Sequence, residues 1–178
     1  MTSGKWIKIA TRFRYSFPVL AELHRDQGSK YITLVRRLES SDRAIRQALD
    51  YLMSLELVDR NPGYGHPSRP EYILTNEGQE LAPICLEVWN ELGRWQQLEV
   101  AMERWPLPVL DTLNHGETRY TSILKSEPDL SPRALTIALD RLIDAGLVQR
   151  TVVDGRPPVT QYQLTNWGRQ LGEILAKL

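Results

Sequence analysis

Leu130-Ser131-Pro132-Arg133-Ala134-Leu135-Thr136-Ile137-Ala138-Leu139-Asp140-Arg141-Leu142, then Gly146-Leu147-Val148-Gln149-Arg150, then Asp154-Gly155-Arg156-Pro157-Pro158-Val159-Thr160-Gln161-Tyr162-Gln163-Leu164-Thr165, is the stretch that decides the fold. Ser131 is a good N-cap, and Pro132 suits the first helical position, where its missing N–H has no partner to lose. Leu135, Ala138, Leu139 and Leu142 follow the i, i+3, i+4, i+7 spacing of a helix with one buried stripe. Gly146 ends that helix. Leu147 to Val153 reads as a strand, Asp154-Gly155 as a tight turn, and Val159 to Leu164 as the returning strand.

A capped helix followed by a two-stranded ribbon with a basic, proline-bearing tip is the second half of a winged helix-turn-helix. Such a helix can enter a major groove while its wing lies along the backbone. The run Arg119-Tyr120, Leu130-Ser131, Leu135, Leu139, Leu142, Gly146-Leu147-Val148, Arg150, Pro157-Pro158-Val159, Tyr162, Leu164-Thr165 and Gly168 resembles the HxlR-type winged-helix transcriptional regulators. Trp105, Leu110 and Leu113 fit the Trp and apolar helix with which that family's pattern starts. The family's wing carries an acidic residue before the Tyr, and here that residue is Gln161.

The first half of the chain repeats the second. Pro18 matches Pro108, Leu23 matches Leu113, Ser41 matches Ser131, Arg43 matches Arg133, and Ala48-Leu49-Asp50 matches Ala138-Leu139-Asp140, all at an offset of 90. Leu57-Val58, Arg60, Gly65, Pro67, Tyr72, Leu74-Thr75-Asn76 and Gly78 continue the register; Tyr31 pairs with Tyr120 at 89. Self-similarity at a fixed period marks repeated structural units. The expected fold is mainly α with small β-wings: two tandem winged helix-turn-helix domains joined by a helical connector, as a pseudo-dimer in one chain. The expected boundaries are 1–80 for the first domain with an N-terminal basic helix or arm, 81–103 for the connector, and 104–178 for the second domain.

Composition narrows the function classes. A hydrophobic content of 42% without long polar tracts indicates a folded chain. No apolar run approaches the roughly 18 residues of a membrane span, and Met1-Thr2-Ser3-Gly4 lacks a signal-peptide pattern. With a single cysteine, Cys85, there is no intrachain disulfide framework, and a cytoplasmic protein is expected. Cys85 lies on an apolar helix stripe with Leu81, Leu86 and Trp89 and reads as buried and structural. His24, His66 and His115 are isolated from one another and from Cys85, so no metal spacing and no cofactor are expected. No paired-carboxylate, Ser/His/Asp or Cys/His constellation suggests an enzyme.

The formal net charge of 0 argues against strong nonspecific nucleic-acid binding, but the charge is unevenly spread. Lys5, Lys8, Arg12 and Arg14 precede any acid, whereas residues 81–103 carry Glu87, Glu91, Glu99 and Glu103 against Arg94 alone. The basic segment is either a phosphate-contacting arm, through Lys5, Lys8 and Arg12, or a solvated helix face. In the first recognition helix Ile45, Ala48, Leu49 and Leu52 face inward. Arg43, Arg46 and Gln47 face outward, with Arg133 as the remaining candidate in the second copy. These side-chain types make paired hydrogen bonds to guanine or adenine edges. Arg69 and Arg156 sit at the wing tips, suited to backbone contact. In copy two Thr136 and Ile137 replace Arg46 and Gln47; Ile137 fits a thymine methyl or a protein contact. The expected function is a sequence-specific, double-stranded-DNA-binding transcriptional regulator; the alternative is a winged-helix scaffold that binds protein. The expected partner is double-stranded DNA with no membrane, and further homodimerisation is left open.

Overall fold

The computed structural model describes residues 3–62, 70–154 and 158–178, and falls into two compact units: Ile9–Met102, and Met1–Lys8 together with Glu103–Leu178. The basic N-terminal segment was expected to belong with the first copy, yet its first eight residues group with the second.

In the first unit α2 (Ser16–Arg25), α3 (Tyr31–Arg37) and α4 (Asp42–Ser54) are followed by β1 (Val58–Arg60), β2 (Tyr72–Leu74), α5 (Asn76–Arg94) and α6 (Glu99–Met102). The second unit has the matching series: α7 (Pro106–Asn114), α8 (Tyr120–Ser126), α9 (Pro132–Asp144), β3 (Val148–Val153), β4 (Val159–Leu164) and α10 (Asn166–Leu175). A preceding helix, α1 (Ser3–Ala10), crosses the division between Lys8 and Ile9.

Local rules set the boundaries. Ser41 and Ser131 cap α4 and α9, accepting hydrogen bonds from the Ala44 N–H (3.4 Å) and the Ala134 N–H (3.2 Å). Thr75 and Thr165 do the same for α5 and α10, accepting from the N–H of Gly78 (3.0 Å) and of Gly168 (3.2 Å). The wings are antiparallel ribbons, with Val58 opposite Leu74 through Arg60 opposite Tyr72, and Val148 opposite Leu164 through Val153 opposite Val159. A third segment closes each ribbon: Tyr72 N–H donates to the Ser29 carbonyl at 3.0 Å, and Tyr162 N–H to that of Thr118 at 2.8 Å.

The expected apolar stripes form the cores. Ile45, Ala48, Leu49 and Leu52 of α4 are buried beside Phe17, Leu20 and Leu23, and Leu135, Ala138, Leu139 and Leu142 of α9 beside Leu107 and Leu110. On α5 the buried stripe is Leu81, Cys85, Val88 and Leu92, with Leu86 and Trp89 half-buried. Burial pushes the Cys85 thiol far above its usual range. Pro83 lies inside α5 and is exposed, so the helix carries it at the cost of one backbone hydrogen bond. The connector is not one continuous helix. After Arg94 the chain turns through Gln96 at φ 58°, and the Gln97 N–H donates back to the Leu92 carbonyl at 2.8 Å.

A buried acidic pair marks the second unit. Asp111 on α7 and Glu127 are 5% and 6% exposed, and Lys8 of α1 reaches Glu127 at 2.5 Å. Burial above all, reinforced by Glu127, holds the Asp111 carboxyl above its usual range, while His115 and Lys8 offset part of the shift. A carboxyl whose folded pKa is raised binds its proton better folded than unfolded. Its contribution is therefore lost as pH rises from about 4 through the raised folded value. Asp111→Asn is expected to stabilise the fold by about 1 kcal/mol at pH 7 and to have little effect at pH 3.5. Urea denaturation at the two pH values checks this; equal effects at both would refute it.

Candidate nucleic-acid interface

The outward face of α4 follows from its inward one. With positions 45, 48, 49 and 52 buried, Arg43, Arg46, Gln47 and Asp50 are left in solvent. Arg43, Arg46, Gln47 and Asp50 line one shallow depression with Phe13 and Tyr51. Arg46 is restrained: its guanidinium stacks over Tyr31 at 5.4 Å and pairs with Asp42 at 3.6 Å. The Tyr31 hydroxyl donates to the Asp42 carbonyl at 2.6 Å, bracing α3 against the start of α4. Partial burial, then the charge of Asp42, raise the Tyr31 pKa.

Copy two repeats the brace with different chemistry. Tyr120 donates to the Pro132 carbonyl at 2.6 Å. Arg133 is exposed at the start of α9, and Thr136 and Ile137 are exposed where copy one has Arg46 and Gln47. Arg141 is engaged by Glu103 at 2.6 Å. The positions 90 residues earlier are Tyr51 and Phe13, whose rings meet edge to face at 4.9 Å. One tertiary contact is thus an aromatic pair in the first copy and an ion pair in the second.

The backbone candidates divide. Lys5 and Arg12 are exposed, on different units. Lys8 is half-buried and paired with Glu127. Arg14, from the same basic run, is paired with Glu99 at 2.8 Å. Arg69 and Arg156 lie outside the described residues. Val152, Val153 and Trp167 are exposed apolar side chains in the second unit, at 61%, 45% and 50%.

The sequence missed the two Tyr braces and the exchange of Phe13–Tyr51 for Glu103–Arg141. Their signal was present in the repeat register, where Tyr31 aligns with Tyr120. Among the described residues, no three His, Cys, Asp or Glu side chains are grouped as metal ligands, and no helix is long and apolar enough to cross a membrane.

Comparison with known proteins agrees with the two-copy architecture. The chain is 36% identical over 129 residues to an uncharacterized HTH-type transcriptional regulator of Methanothermobacter thermautotrophicus, covering 72% of this chain and 85% of that protein. It is 33% identical over 81 residues to the uncharacterized HTH-type transcriptional regulator YtcD of Bacillus subtilis, covering 46% of this chain and 64% of the relative. It is 29% identical over 97 residues to the regulator sll1512 of Synechocystis, covering 54% and 72%. No solved structure matches the chain. The sequence pattern of the HxlR-like helix-turn-helix family matches residues 12–99 and again residues 100–178. The chain belongs to the HxlR-like helix-turn-helix family, which it carries in two tandem copies.

Proposed function

We propose that the protein is a sequence-specific double-stranded-DNA-binding transcriptional regulator that uses both winged-helix copies of one chain. The observation that carries this reading is the outer face of α4, where Arg43, Arg46 and Gln47 stand exposed on a capped helix whose other face is buried. Arg and Gln offer the bidentate donor and acceptor sets that match guanine and adenine edges in the major groove. Arg133 contributes from copy two. Lys5, Arg12 and the wing residues Arg69 and Arg156 supply phosphate contacts that orient the protein without reading sequence. Lys8 joins them only by giving up Glu127.

A second reading, a scaffold that binds protein, is favoured by the exposed Val152, Val153 and Trp167. Binding to duplex DNA across a salt series separates the two. A DNA-binding regulator shows affinity that falls steeply with salt, and Lys5→Ala and Arg12→Ala each make the log–log slope shallower by about 0.9. Absence of binding at low salt would overturn the DNA reading in favour of the scaffold.

A further inference from the structure

Copy two keeps the frame of the reading helix and changes its chemistry. α9 starts at the same serine cap as α4 and is braced by the same tyrosine hydroxyl, at 2.6 Å in both copies. Within that shared frame Arg46 becomes Thr136 and Gln47 becomes Ile137. The Thr136 hydroxyl is already occupied: it donates to the Pro132 carbonyl at 3.1 Å and lies 3.1 Å from the Tyr120 hydroxyl. With its hydrogen committed to Pro132, Thr136 can offer a partner no donor and presents its methyl group beside an oxygen that can only accept. Ile137 beside it is 53% exposed.

We propose that Thr136 and Ile137 form an apolar reader of thymine C5-methyl groups in the major groove. The two copies then select different half-sites, purine edges by α4 and thymine by α9. This rests on the DNA-binding reading above. Among base edges in that groove, thymine alone among the four bases carries a methyl group, and threonine methyls and other apolar side chains contact it.

Two features favour DNA over a protein partner for this face. The apolar doublet is flanked by charged groups: exposed Arg133 and Asp140 on its own helix, and Glu103 and Arg104 in the depression that Ile137 lines with Trp105 and Pro106. The unit that carries it also has the positive balance, with eleven Lys and Arg against nine Asp and Glu; Ile9–Met102 has eleven against thirteen. A positive unit complements the phosphate backbone that must lie against α9.

The test starts from a duplex selected by the full chain from a random pool. Each thymine is replaced in turn by deoxyuridine, which removes the methyl group and nothing else. One or two positions are expected to lose about three- to tenfold in affinity, the scale of one buried methyl with its packing. Those positions become insensitive in the double variant Thr136→Ser/Ile137→Ala, and a position read by Ile137 stays sensitive in Ile137→Val. Retained discrimination between the selected and a random duplex shows that the double variant is folded and engaged through copy one. Equal affinity for thymine and deoxyuridine everywhere would overturn the thymine reader while leaving DNA binding intact. So would a sensitivity that survives the double variant Thr136→Ser/Ile137→Ala. Failure to bind any duplex at low salt would overturn both.

Discussion

Replacing Gly78 by alanine is expected to destabilise the first unit by about 3 kcal/mol or more, and Gly168→Ala is expected to do the same to the second. A Cβ at Gly78 would lie 2.0 Å from the Leu57 carbonyl oxygen, and one at Gly168 would lie 2.0 Å from that of Leu147. The obstacle in each case is backbone, and it is fixed backbone. The Leu57 carbonyl accepts from the Thr75 N–H at 3.1 Å, and the Leu147 carbonyl from the Thr165 N–H at 3.0 Å. Making room for the methyl would separate the wing base from the first turn of the following helix, where the Thr cap also sits. Gly93→Ala on the exposed side of α5 is the internal control. A Cβ there meets only Leu98 Cδ2 at an ordinary 3.6 Å, and alanine is expected to stabilise the helix by about 0.5–1 kcal/mol. Thermal unfolding followed by circular dichroism checks all three. A melting temperature unchanged in Gly78→Ala and Gly168→Ala would show that the close approach is not real.

Removing both Arg43 and Gln47 is expected to cost about 2–4 kcal/mol of binding to the preferred duplex, that is, roughly 30- to 1000-fold in Kd. Each is exposed on the outward face of α4, so alanine there leaves the core untouched. The loss falls on discrimination, because random-sequence DNA is held through phosphates that other cations contact. Arg46→Ala is a less clean probe. Its side chain stacks on Tyr31 and pairs with Asp42, so its removal also loosens the α3–α4 brace. Competition between the selected and a random duplex at fixed salt measures the effect. A double variant that loses affinity equally for both duplexes would mean that these residues hold backbone and do not read bases.

The elements of this fold were legible where each was set by short-range rules, several of which occurred twice. Ser41 and Ser131 were readable as caps, Gly146 as a terminator with φ 69°, and Val159–Leu164 as a strand of the observed length. Position 56, where Gly146 has its counterpart, was opaque for the same reason: Glu56 adopts φ 56°, a left-handed conformation that its residue type does not advertise. Outward-facing Arg43, Arg46 and Gln47 followed from the apolar period alone. What escaped the sequence were contacts between side chains far apart in the chain. The run Lys5, Lys8, Arg12 and Arg14 looks uniform, yet Lys8 is drawn to a buried Glu127 and Arg14 to Glu99, while Lys5 and Arg12 stay exposed. Charge spacing records the cations and leaves out the distant acids that neutralise them. The course of the connector was hidden in a similar way, since the turn at Gln96 again uses a non-glycine residue at positive φ.

The exchange of Phe13–Tyr51 for Glu103–Arg141 has a consequence for the inheritance of the two copies. Tandem duplicates are open to recombination with each other, which tends to make them alike. A crossover at corresponding points between the two members of the contact would set Phe13 against Arg141, or Glu103 against Tyr51. The first hybrid strips Arg141 of its carboxylate, and the second leaves Glu103 facing a ring edge. Each half of the gene is thereby committed to its own partner residue, and the two halves are no longer interchangeable parts.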